Sequence, residues 1–329
     1  MGKKGYAFVF PKPNKAEIRE YDVPELEDKE ILVEIEYAGV STGTERQIFY
    51  GQDDRAVFPV ITGYQSVGIV SETKGDCRGI KAGDRVLAGP GAKVPGLNIC
   101  WGSHVSHAVL NAESVVPCPS GVTPEAGAMA WLAAIGNQGN TKADVKEGDI
   151  VAVVGQGMIG QMAAQVAKVK GAKKVIAADT KPFRLELSKK HTADVVVDAS
   201  KEDIKEVLFA ESKEGADVAF EATGIKELVP LCLDLLKPGG TLVYQGWYAG
   251  DMVFPFQVPH EKQAKMVFPF AWAGTEAIAL VAGWMAEGKM NVEPLITHNI
   301  SYKEAPKLYP ELVSKKAEDV MGIIINFKA

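Results

Sequence analysis

The pattern of apolar and polar positions divides the chain into two kinds of segment. In residues 1–121 the apolar runs are short, and Ile31–Tyr37 (ILVEIEY) alternates apolar with acidic positions. Such alternation is typical of half-buried strands. After residue 149, short apolar runs alternate with longer segments of helical spacing. Strict alternation of buried strands and helices predicts a doubly wound parallel sheet, so the expected fold class is α/β.

The expected elements follow this division. In the first part we expect further strands at Gln65–Val70 and Asp84–Ala88. In the second part the expected strands are Ile150–Val154, Val175–Ala178, Val195–Asp198, Val218–Glu221 and Thr241–Gln245. The helices between them are expected at Met158–Val169, Pro182–Lys190, Glu202–Ala210 and Lys226–Leu236.

Residues 291–329 again show the strand-rich pattern of residues 1–121. Helices are expected over Thr123–Ile135 and Thr275–Lys289, and strands over Val292–His298 and Met321–Phe327. The second part is therefore expected to be inserted into the first. The predicted domains are a β-rich domain at 1–121, an inserted α/β domain at 122–290, and the return of the β-rich domain at 291–329.

A glycine-rich turn follows the first strand of the second part. Val151–Gly160 reads VAVVGQGMIG, in which Gly155, Gly157 and Gly160 form a G-x-G-x-x-G. We expect Gly155 to allow the sharp turn, Gly157 to admit a pyrophosphate close to the backbone, and Gly160 to let the helix pack on its strand. The helix N-terminus offers free N–H groups and partial positive charge to the phosphates. The order strand, glycine turn, helix predicts a dinucleotide site, although glycines alone also fit a purely structural turn.

Asp179 ends the next predicted strand, where an acidic residue completes the dinucleotide pattern. A carboxylate at this place can bind both ribose hydroxyls and repels a 2′-phosphate, which favours NAD over NADP. Lys181 and Arg184 are close in sequence. Their positive charge weakens the preference, because a cation attracts the same phosphate.

The composition is that of a globular protein of about two domains, with 329 residues, 47% hydrophobic and 24% charged. The net charge of −6 gives no reason to expect nucleic acid or an anionic membrane as a partner. The N-terminus lacks the apolar segment of a signal peptide. The cysteines, Cys77, Cys100, Cys118 and Cys232, form no C-x-x-C, so we expect free thiols in the cytoplasm.

Several motifs resemble those of the medium-chain dehydrogenase/reductase superfamily, which contains zinc alcohol dehydrogenases and quinone reductases. The matching segments are Ala38–Val40 with Gly43–Glu45, Gly63–Gly68 in place of G-H-E-x-x-G, Gly83–Val86 (GDRV), Gly102–Leu110 and Glu221–Gly224. The resemblance implies a doubly wound parallel Rossmann domain inserted into a β-rich GroES-like catalytic domain. The string Ser41–Glu45 (STGTE) is further similar to the branch that contains bacteriochlorophyllide a dehydrogenase.

The glycine motif and the resemblance together imply NAD(H) as the cofactor. The expected contacts lie in the glycine turn, at the end of the second strand, and after the fourth and fifth strands of the inserted domain. They are Gly155, Gln156, Gly157, Met158, Ile159, Gly160, Asp179, Thr180, Arg184, Ala222, Thr223, Gly246 and Trp247.

The positions that bind catalytic zinc in the superfamily carry no zinc ligands in this chain. The first loop offers Ser41 or Thr42 instead of cysteine, Tyr64 replaces the histidine, Gln65 the glutamate, and the third position falls near Ala130. Hydroxyl, phenol, amide and methyl groups cannot form a tetrahedral zinc site. The expectation is an enzyme without zinc.

One alternative metal site involves Cys100, His104 and His107, spaced C-x3-H-x2-H. In a strand the two histidines would point to opposite faces. An ordinary strand with His104 in an aromatic position is therefore the favoured interpretation. The four-cysteine structural zinc loop of the superfamily is missing, since residues 89–101 contain Cys100 alone, and Glu45 has no evident partner for a metal.

Without zinc, a side chain must manage the hydroxyl proton during hydride transfer. The candidates are Thr44, Glu45, Tyr64 and Gln65, of which Thr44 matches the superfamily's proton-relay position. The phenol of Tyr64 either donates to a carbonyl oxygen or, with a lowered pKa, accepts an alcohol proton; alternatively it only fills the volume left by the metal. Glu45 is expected to orient its neighbours rather than to react.

Aromatic residues near strand ends and loops are candidate substrate contacts. They are Trp101, Tyr248 and Phe270, with Trp247 and Trp272 close to them in sequence. Such a set could form a wall for a flat or bulky substrate, although core packing is the commoner fate of aromatic residues.

These observations predict a metal-independent, NAD(H)-dependent oxidoreductase that interconverts a secondary alcohol and a ketone. The expected substrate is a sugar, a polyol or a hydroxyalkyl ring compound. Reduction of a conjugated C=C bond, as in metal-free quinone or enoyl reductases, is the first alternative, and a non-catalytic NAD(H)-binding protein is the second. The expected partners are a small-molecule substrate and further copies of the chain in a homodimer or homotetramer, for which Met266–Ala271 could form a pairing sheet edge.

Overall fold

The structure is a computed structural model that describes residues 2–248, 250–271, 274–314 and 316–329. The chain forms two compact units. Unit 1 comprises Met1–Trp131, Gly274–Glu287 and Ile296–Ala329, and unit 2 comprises Leu132–Ala273 and Gly288–Leu295. The candidate aromatic residue Trp272 lies outside the described residues. Within the described ranges, no helix is both long and apolar enough to cross a membrane.

Strands predominate in the first 120 residues, and strands and helices alternate in the middle of the chain. The strands are β1 (Lys4–Lys12), β2 (Lys15–Asp22), β3 (Glu30–Val40), β4 (Val60–Ile61), β5 (Ser66–Lys74), β6 (Arg85–Ala88), β7 (Asn98–Ile99), β8 (His107–Asn111), β9 (Val115–Pro117), β10 (Ile150–Val154), β11 (Lys174–Asp179), β12 (Val195–Asp198), β13 (Ala216–Glu221), β14 (Leu236–Tyr244), β15 (Lys265–Val267), β16 (Ile296–Ser301) and β17 (Gly322–Asn326). The α-helices are α1 (Thr42–Phe49), α2 (Pro124–Gly127), α3 (Ala130–Lys142), α4 (Met158–Val169), α5 (Pro182–His191), α6 (Ile204–Glu211), α7 (Val229–Leu235), α8 (Gln257–Glu261), α9 (Gly274–Ala286) and α10 (Ala305–Leu312).

Unit 2 contains a parallel sheet in the order β12-β11-β10-β13-β14-β15. The central strand β10 is buried almost throughout, which explains its unbroken apolar sequence. Helices α4, α5 and α7 pack on this sheet. The direction in which strands are added reverses between β10 and β13, and ligands of such sheets bind at the carboxyl ends of the strands beside that reversal. The predicted doubly wound sheet is confirmed.

Unit 1 is built from a mixed sheet and a smaller one. The mixed sheet has the order β16-β17-β3-β5-β6-β9, with β8 also paired to β3, and the smaller sheet has the order β2-β1-β4-β7. Helix α10 packs against β2. It brings the ring of Tyr309 into an aromatic cluster with Phe8, Phe10 and Phe49. This aromatic cluster belongs to the core of unit 1, to which α1 contributes Phe49.

Several predicted bounds differ from the structure. The helix predicted over Lys226–Leu236 is a 3₁₀ turn at Lys226–Leu228 followed by α7. The helix predicted over Thr123–Ile135 is two helices, α2 and α3, separated at residues 128–129. The strand predicted over Val292–His298 begins only at Ile296, because a 3₁₀ turn occupies Glu293–Leu295. Unit 2 also differs from the predicted domain at 122–290, because α2 and α9 belong to unit 1 whereas Gly288–Leu295 belongs to unit 2. Helix α9 reaches β9 of that unit.

Candidate active site

The glycine turn has the geometry that close approach to a diphosphate needs. Gly155 has φ +94°, which only glycine adopts freely, and a Cβ there would lie 2.7 Å from Thr223 Cγ2. A Cβ on Gly160 would lie 1.9 Å from the carbonyl oxygen of Gly155. Gly157, the N-cap of α4, has φ −71° and no neighbouring atom within 4 Å of an added Cβ. Gly155 and Gly160 are thus required by packing, whereas the space above Gly157 is open.

The carboxylate of Asp179 lies at the carboxyl end of β11, beside the glycine turn. Its Oδ2 accepts the backbone N–H of Gln156 at 2.7 Å, and its Oδ1 accepts the N–H groups of Thr180 and Lys181 at 2.7 and 2.9 Å. The Nη1 of Arg184 is 3.5 Å from Oδ2. The predicted cofactor residues of the turn and of β11 therefore meet at one edge of the parallel sheet, with a cation beside the acid.

A buried polar network lies beneath the glycine turn. Ser188 Oγ donates to Gln156 Oε1 at 2.9 Å and receives the Nε2 of Gln161 at 2.9 Å. Thr192 Oγ1 donates to Gln161 Oε1 at 2.9 Å. The Gln156 amide also donates to the carbonyl oxygens of Val153 and Gly155. These directional bonds connect the turn to α5, which bears Arg184, and the spacing of the sequence gives no sign of the network.

The loops after β13 and β14 are joined by a second buried acid, Glu221. Its carboxylate accepts the N–H groups of Thr223 at 2.9 Å and Gly224 at 3.1 Å, and the hydroxyl of Tyr248. A Cβ on Gly246 would lie 2.5 Å from the nitrogen of Gly224, so these loops touch. Of the other predicted cofactor contacts, Ala222 adjoins Gly155, Met158 is buried, Ile159 is half-buried and Trp247 is exposed.

The predicted substrate residues are divided between the two units: Tyr248 and Phe270 belong to unit 2, and Trp101 belongs to unit 1. The hydroxyl of Tyr248 is held by Glu221, and burial raises the pKa of this phenol far above its usual value. Phe270 is 82% exposed. Trp101 lies in unit 1, where the guanidinium of Arg55 covers its ring at 5.2 Å.

Glu45, one of the predicted catalytic residues, lies on the first turn of α1 at the centre of a buried hydrogen-bond cluster. Glu45 is fully buried, and its Oε1 accepts the backbone N–H of Ser41 at 2.7 Å. Its Oε2 lies 2.6 Å from His104 Nε2, and accepts the hydroxyls of Thr62 at 3.1 Å and Tyr309 at 3.4 Å. These hydrogen-bond partners come from segments that are distant in sequence. The sequence expectation concerned a partner for metal binding, and it stays a prediction. The expected orienting role of Glu45 also stays a prediction.

Tyr64 lies next to this cluster, in the loop between β4 and β5. Its ring contacts Trp101 edge to face at 5.7 Å, and the Ser41 hydroxyl hydrogen-bonds its phenol. Burial, reinforced by the charge of Glu45, raises the pKa of Tyr64 well above the usual value, although the Ser41 bond opposes this. The direction of this shift is opposite to the lowered pKa that a proton acceptor needs, so the phenol is suited to donating a hydrogen bond at neutral pH.

Gln65 and Thr44 complete the predicted set. The Gln65 side chain is fully buried, with its Nε2 3.7 Å from the sulfur of Met129. A Cβ on Gly39 would lie 2.9 Å from the same Nε2, so the amide also packs on β3. Thr44 is half-buried on α1, one residue before Glu45. Of the four candidates, Thr44 has the most accessible side chain.

The side chains at the superfamily's catalytic zinc position do not fit a zinc ion. Ser41, Tyr64 and Ala130 offer a hydroxyl, a phenol held in its protonated form and a methyl group. Burial raises the pKa of the Cys100 thiol to about 11, so it is a poor source of thiolate. His104 is bound to Glu45. Among the described residues no group of three or more His, Cys, Asp or Glu side chains is arranged to hold a metal.

The alternative site at Cys100, His104 and His107 is not assembled either. His107 begins β8 and its Nδ1 lies 2.9 Å from Ser106 Oγ, whereas the Nε2 of His104 meets Glu45. Sequence reasoning missed His104 as the partner of Glu45, and also Tyr309 and Glu221. The Tyr309 helix contains Pro310, which argues against a helix in the sequence.

Two family models match the chain. The model described as "Alcohol dehydrogenase GroES-like domain" matches residues 27–120, and the model described as "Zinc-binding dehydrogenase" matches residues 159–287. The D-xylulose reductase A of Aspergillus oryzae is 26% identical over 337 residues, covering 94% of this chain and 94% of that protein.

Solved structures show the same fold over nearly the whole chain. A Sinorhizobium meliloti 1021 dehydrogenase bound to NADP has a TM-score of 0.88 at 22% identity, and covers 98% of this chain and 99% of its own. An Escherichia coli CFT073 enzyme named as a short chain alcohol dehydrogenase, complexed with NADH, has a TM-score of 0.85 at 22% identity. The match covers 99% of this chain and 100% of that enzyme's chain. These structures show the fold, and the two family models together match more than half of the chain. The chain therefore belongs to the medium-chain dehydrogenase/reductase superfamily, as an oxidoreductase of the alcohol dehydrogenase type with a GroES-like and a Rossmann domain.

Proposed function

We propose that the protein is an NAD(H)-dependent dehydrogenase that interconverts a secondary alcohol and a ketone without a catalytic metal. A polyol, a sugar or a hydroxyalkyl ring compound is the proposed substrate class. The D-xylulose reductase name of a relative that aligns over 94% of the chain supports a polyhydroxylated substrate. The single observation on which the metal-free reaction rests is the donor set of Ser41, Tyr64 and Ala130 at the superfamily's zinc position.

The cofactor proposal rests on the glycine turn and Asp179. The open space above Gly157 leaves room for a diphosphate against the backbone, at the N-terminus of α4. The carboxylate of Asp179 accepts backbone N–H groups, which hold it at the strand end where a ribose would bind. Bound NAD(H) would supply the hydride donor or acceptor.

The proton is assigned to the hydroxyl groups of unit 1. In ketone reduction, the phenol of Tyr64 donates a hydrogen bond to the carbonyl oxygen and stabilises the negative charge that develops there. The raised pKa of Tyr64 keeps this donor protonated at neutral pH, and an alkoxide is still a stronger base than the phenolate. The alkoxide then takes the Tyr64 proton, and the phenolate that remains would be reprotonated from solvent by way of the half-buried hydroxyl of Thr44. Glu45 and Gln65 are positioning residues in this scheme.

The direct test combines metal analysis with turnover. Purified protein is analysed for zinc, treated with a chelator, and assayed with NAD and NADP on a panel of polyols, sugars and ring alcohols. We expect less than about one zinc per ten chains and unchanged turnover after chelation. Stoichiometric zinc together with loss of activity on chelation would refute the metal-free reaction. Tight NADH binding without turnover of any substrate would instead favour a non-catalytic binding protein.

A second candidate reaction, reduction of a conjugated C=C bond, is favoured by one observation. Arg184 lies 3.5 Å from Asp179, where its guanidinium could bind a 2′-phosphate. Metal-free quinone and enoyl reductases mostly use NADPH. Titration of the protein fluorescence with NADH and NADPH separates the two, because the dehydrogenase proposal requires the lower Kd for NADH.

A further inference from the structure

The buried pair of Glu45 and His104 joins four separate segments of unit 1. Both side chains are 0% exposed, and Glu45 Oε2 lies 2.6 Å from His104 Nε2. The carboxylate also accepts Ser41 N–H from the β3–α1 junction, Thr62 Oγ1 from the loop after β4, and Tyr309 OH from α10. A buried carboxylate is tolerated when its lone pairs are satisfied in this way.

The tautomer of His104 follows from the same contacts. Nε2 faces a carboxylate oxygen and must carry a proton, whereas Nδ1 is buried with no hydrogen-bond partner among the described residues. An unpaired acceptor nitrogen is easier to bury than an unpaired N–H donor. The arrangement with the proton on Nε2 therefore fits both nitrogens, by assignment from the network.

The pair contacts the surroundings of Tyr64 from two directions. The Ser41 residue that donates its backbone N–H to Glu45 also hydrogen-bonds the Tyr64 phenol through its hydroxyl. The ring of His104 packs against Gly63, where an added Cβ would lie 2.7 Å from Nδ1. The backbone N–H of His104 also donates to the Thr62 carbonyl at 3.2 Å. The pair thus fixes both the backbone before Tyr64 and the hydroxyl beside its phenol.

We propose that Glu45 and His104 are positioning residues that hold the Tyr64 phenol in its reactive orientation, where metal-dependent relatives would use a bound ion. This inference rests on the proposed function, in which Tyr64 donates to the substrate oxygen. The pair is not a proton relay. Glu45 reaches Ser41 through the backbone N–H, which cannot pass a proton to the serine hydroxyl, and His104 Nδ1 has no partner among the described residues to which a proton could move.

The test is a double-mutant cycle between Tyr64→Phe and each member of the pair, measured as kcat, KM and NADH Kd in the full-length protein. Tyr64→Phe is expected to lower kcat about 100-fold, the range of a lost proton or hydrogen-bond donor. Glu45→Gln and His104→Phe are expected to lower kcat about tenfold with Tyr64 present. In the Tyr64→Phe background the same changes should lower kcat less than about twofold, because residues that act through one group are not additive.

Two further variants separate positioning from simple destabilisation. His104→Gln can still donate an Nε2–H to Glu45, so kcat should stay within about threefold of wild type. Val70→Ala, at a buried position of β5, serves as a destabilised control. Any decrease in kcat that it causes should be the same factor with Tyr64 present and in the Tyr64→Phe background. The NADH Kd should stay unchanged in all variants.

Each outcome decides a separate claim. If Tyr64→Phe leaves kcat unchanged, the role of Tyr64 in the proposed function fails. Tyr64→Phe could lower kcat while Glu45→Gln and His104→Phe each lower kcat by the same factor with and without the Tyr64 hydroxyl. In that case the positioning inference fails and the proposed function stands. Should Glu45→Gln not fold, the cycle with His104→Phe gives the same decision, and Ser41→Ala provides a third arm.

Discussion

Replacement of Gly157 by alanine should separate folding from cofactor binding. The backbone at Gly157 has φ −71°, which alanine adopts without strain, and an added Cβ would meet no atom within 4 Å. Alanine at an N-cap costs about 1 kcal/mol relative to a favoured cap, but the lower entropy of the unfolded chain returns about 0.4–1 kcal/mol. We therefore expect the free energy of unfolding to change by less than about 1 kcal/mol.

The same methyl group would occupy the space proposed for the diphosphate. Loss of one hydrogen bond between a backbone N–H and a charged phosphate costs about 1.5–3 kcal/mol. Since about 1.4 kcal/mol corresponds to a tenfold change in Kd, the NADH Kd should rise roughly 10- to 150-fold. The rise is measured by quenching of protein fluorescence, and stability by urea unfolding followed by circular dichroism.

Gly160→Ala is the matched control in the same turn. Its Cβ would lie 1.9 Å from the carbonyl oxygen of Gly155, so the turn must move. The free energy of unfolding should therefore fall by about 1–3 kcal/mol or more. The reasoning is refuted if Gly157→Ala binds NADH as tightly as wild type. It is also refuted if Gly157→Ala lowers stability as much as Gly160→Ala.

The remaining predictions concern charge, pH and assembly. Arg184→Ala should raise the NADPH Kd about tenfold, because a charge-assisted bond is lost, and should leave the NADH Kd almost unchanged. Lys189→Ala, on the same helix, is the control and should change neither Kd. Equal effects of Arg184→Ala on both cofactors would contradict this prediction. Burial raises the pKa of Tyr309, so above pH 10 the unfolded chain loses a proton that the folded chain keeps, and stability falls by about 1.4 kcal/mol per pH unit for this group. The free energy of unfolding, measured by urea unfolding between pH 9 and 11, should therefore fall less steeply for Tyr309→Phe than for the wild type. The same dependence on pH in both proteins would contradict this role of Tyr309. Phe268 and Phe270, 65% and 82% exposed beside edge strand β15, should support a dimer, so that Phe270→Asp gives a smaller mass in light scattering; an unchanged mass would refute this interface.

The parts of the molecule that depend on local sequence could be predicted. Strand β10 and helix α4 have the predicted bounds, because an apolar run, a glycine turn and a helical pattern follow each other without interruption. Asp179 meets the glycine turn as expected, since parallel neighbouring strands end at the same sheet edge. These features need only the spacing of residues along a short stretch of chain.

The partners of Glu45 could not be predicted, because they are brought together by tertiary packing. His104 follows β7, and Tyr309 belongs to a helix near the end of the chain. The raised pKa of Tyr64 likewise depends on complete burial, which its own neighbours in sequence do not determine. The residue types at the superfamily's zinc position can be read from the sequence, but the hydrogen bonds around them depend on contacts between distant segments.

The position of β17 in the mixed sheet has a consequence for biosynthesis. Ile323–Asn326 pair with Tyr37–Val40 of β3, so this central strand receives its neighbour only after residue 326 has been made. Until then the nascent chain exposes an apolar strand edge, which is prone to pair with other chains. Unit 2, whose main segment ends at Ala273, can leave the ribosome while this edge is still open. A stop codon shortly before residue 322 should therefore yield a product that aggregates or is degraded, even though every predicted reactive residue has already been made.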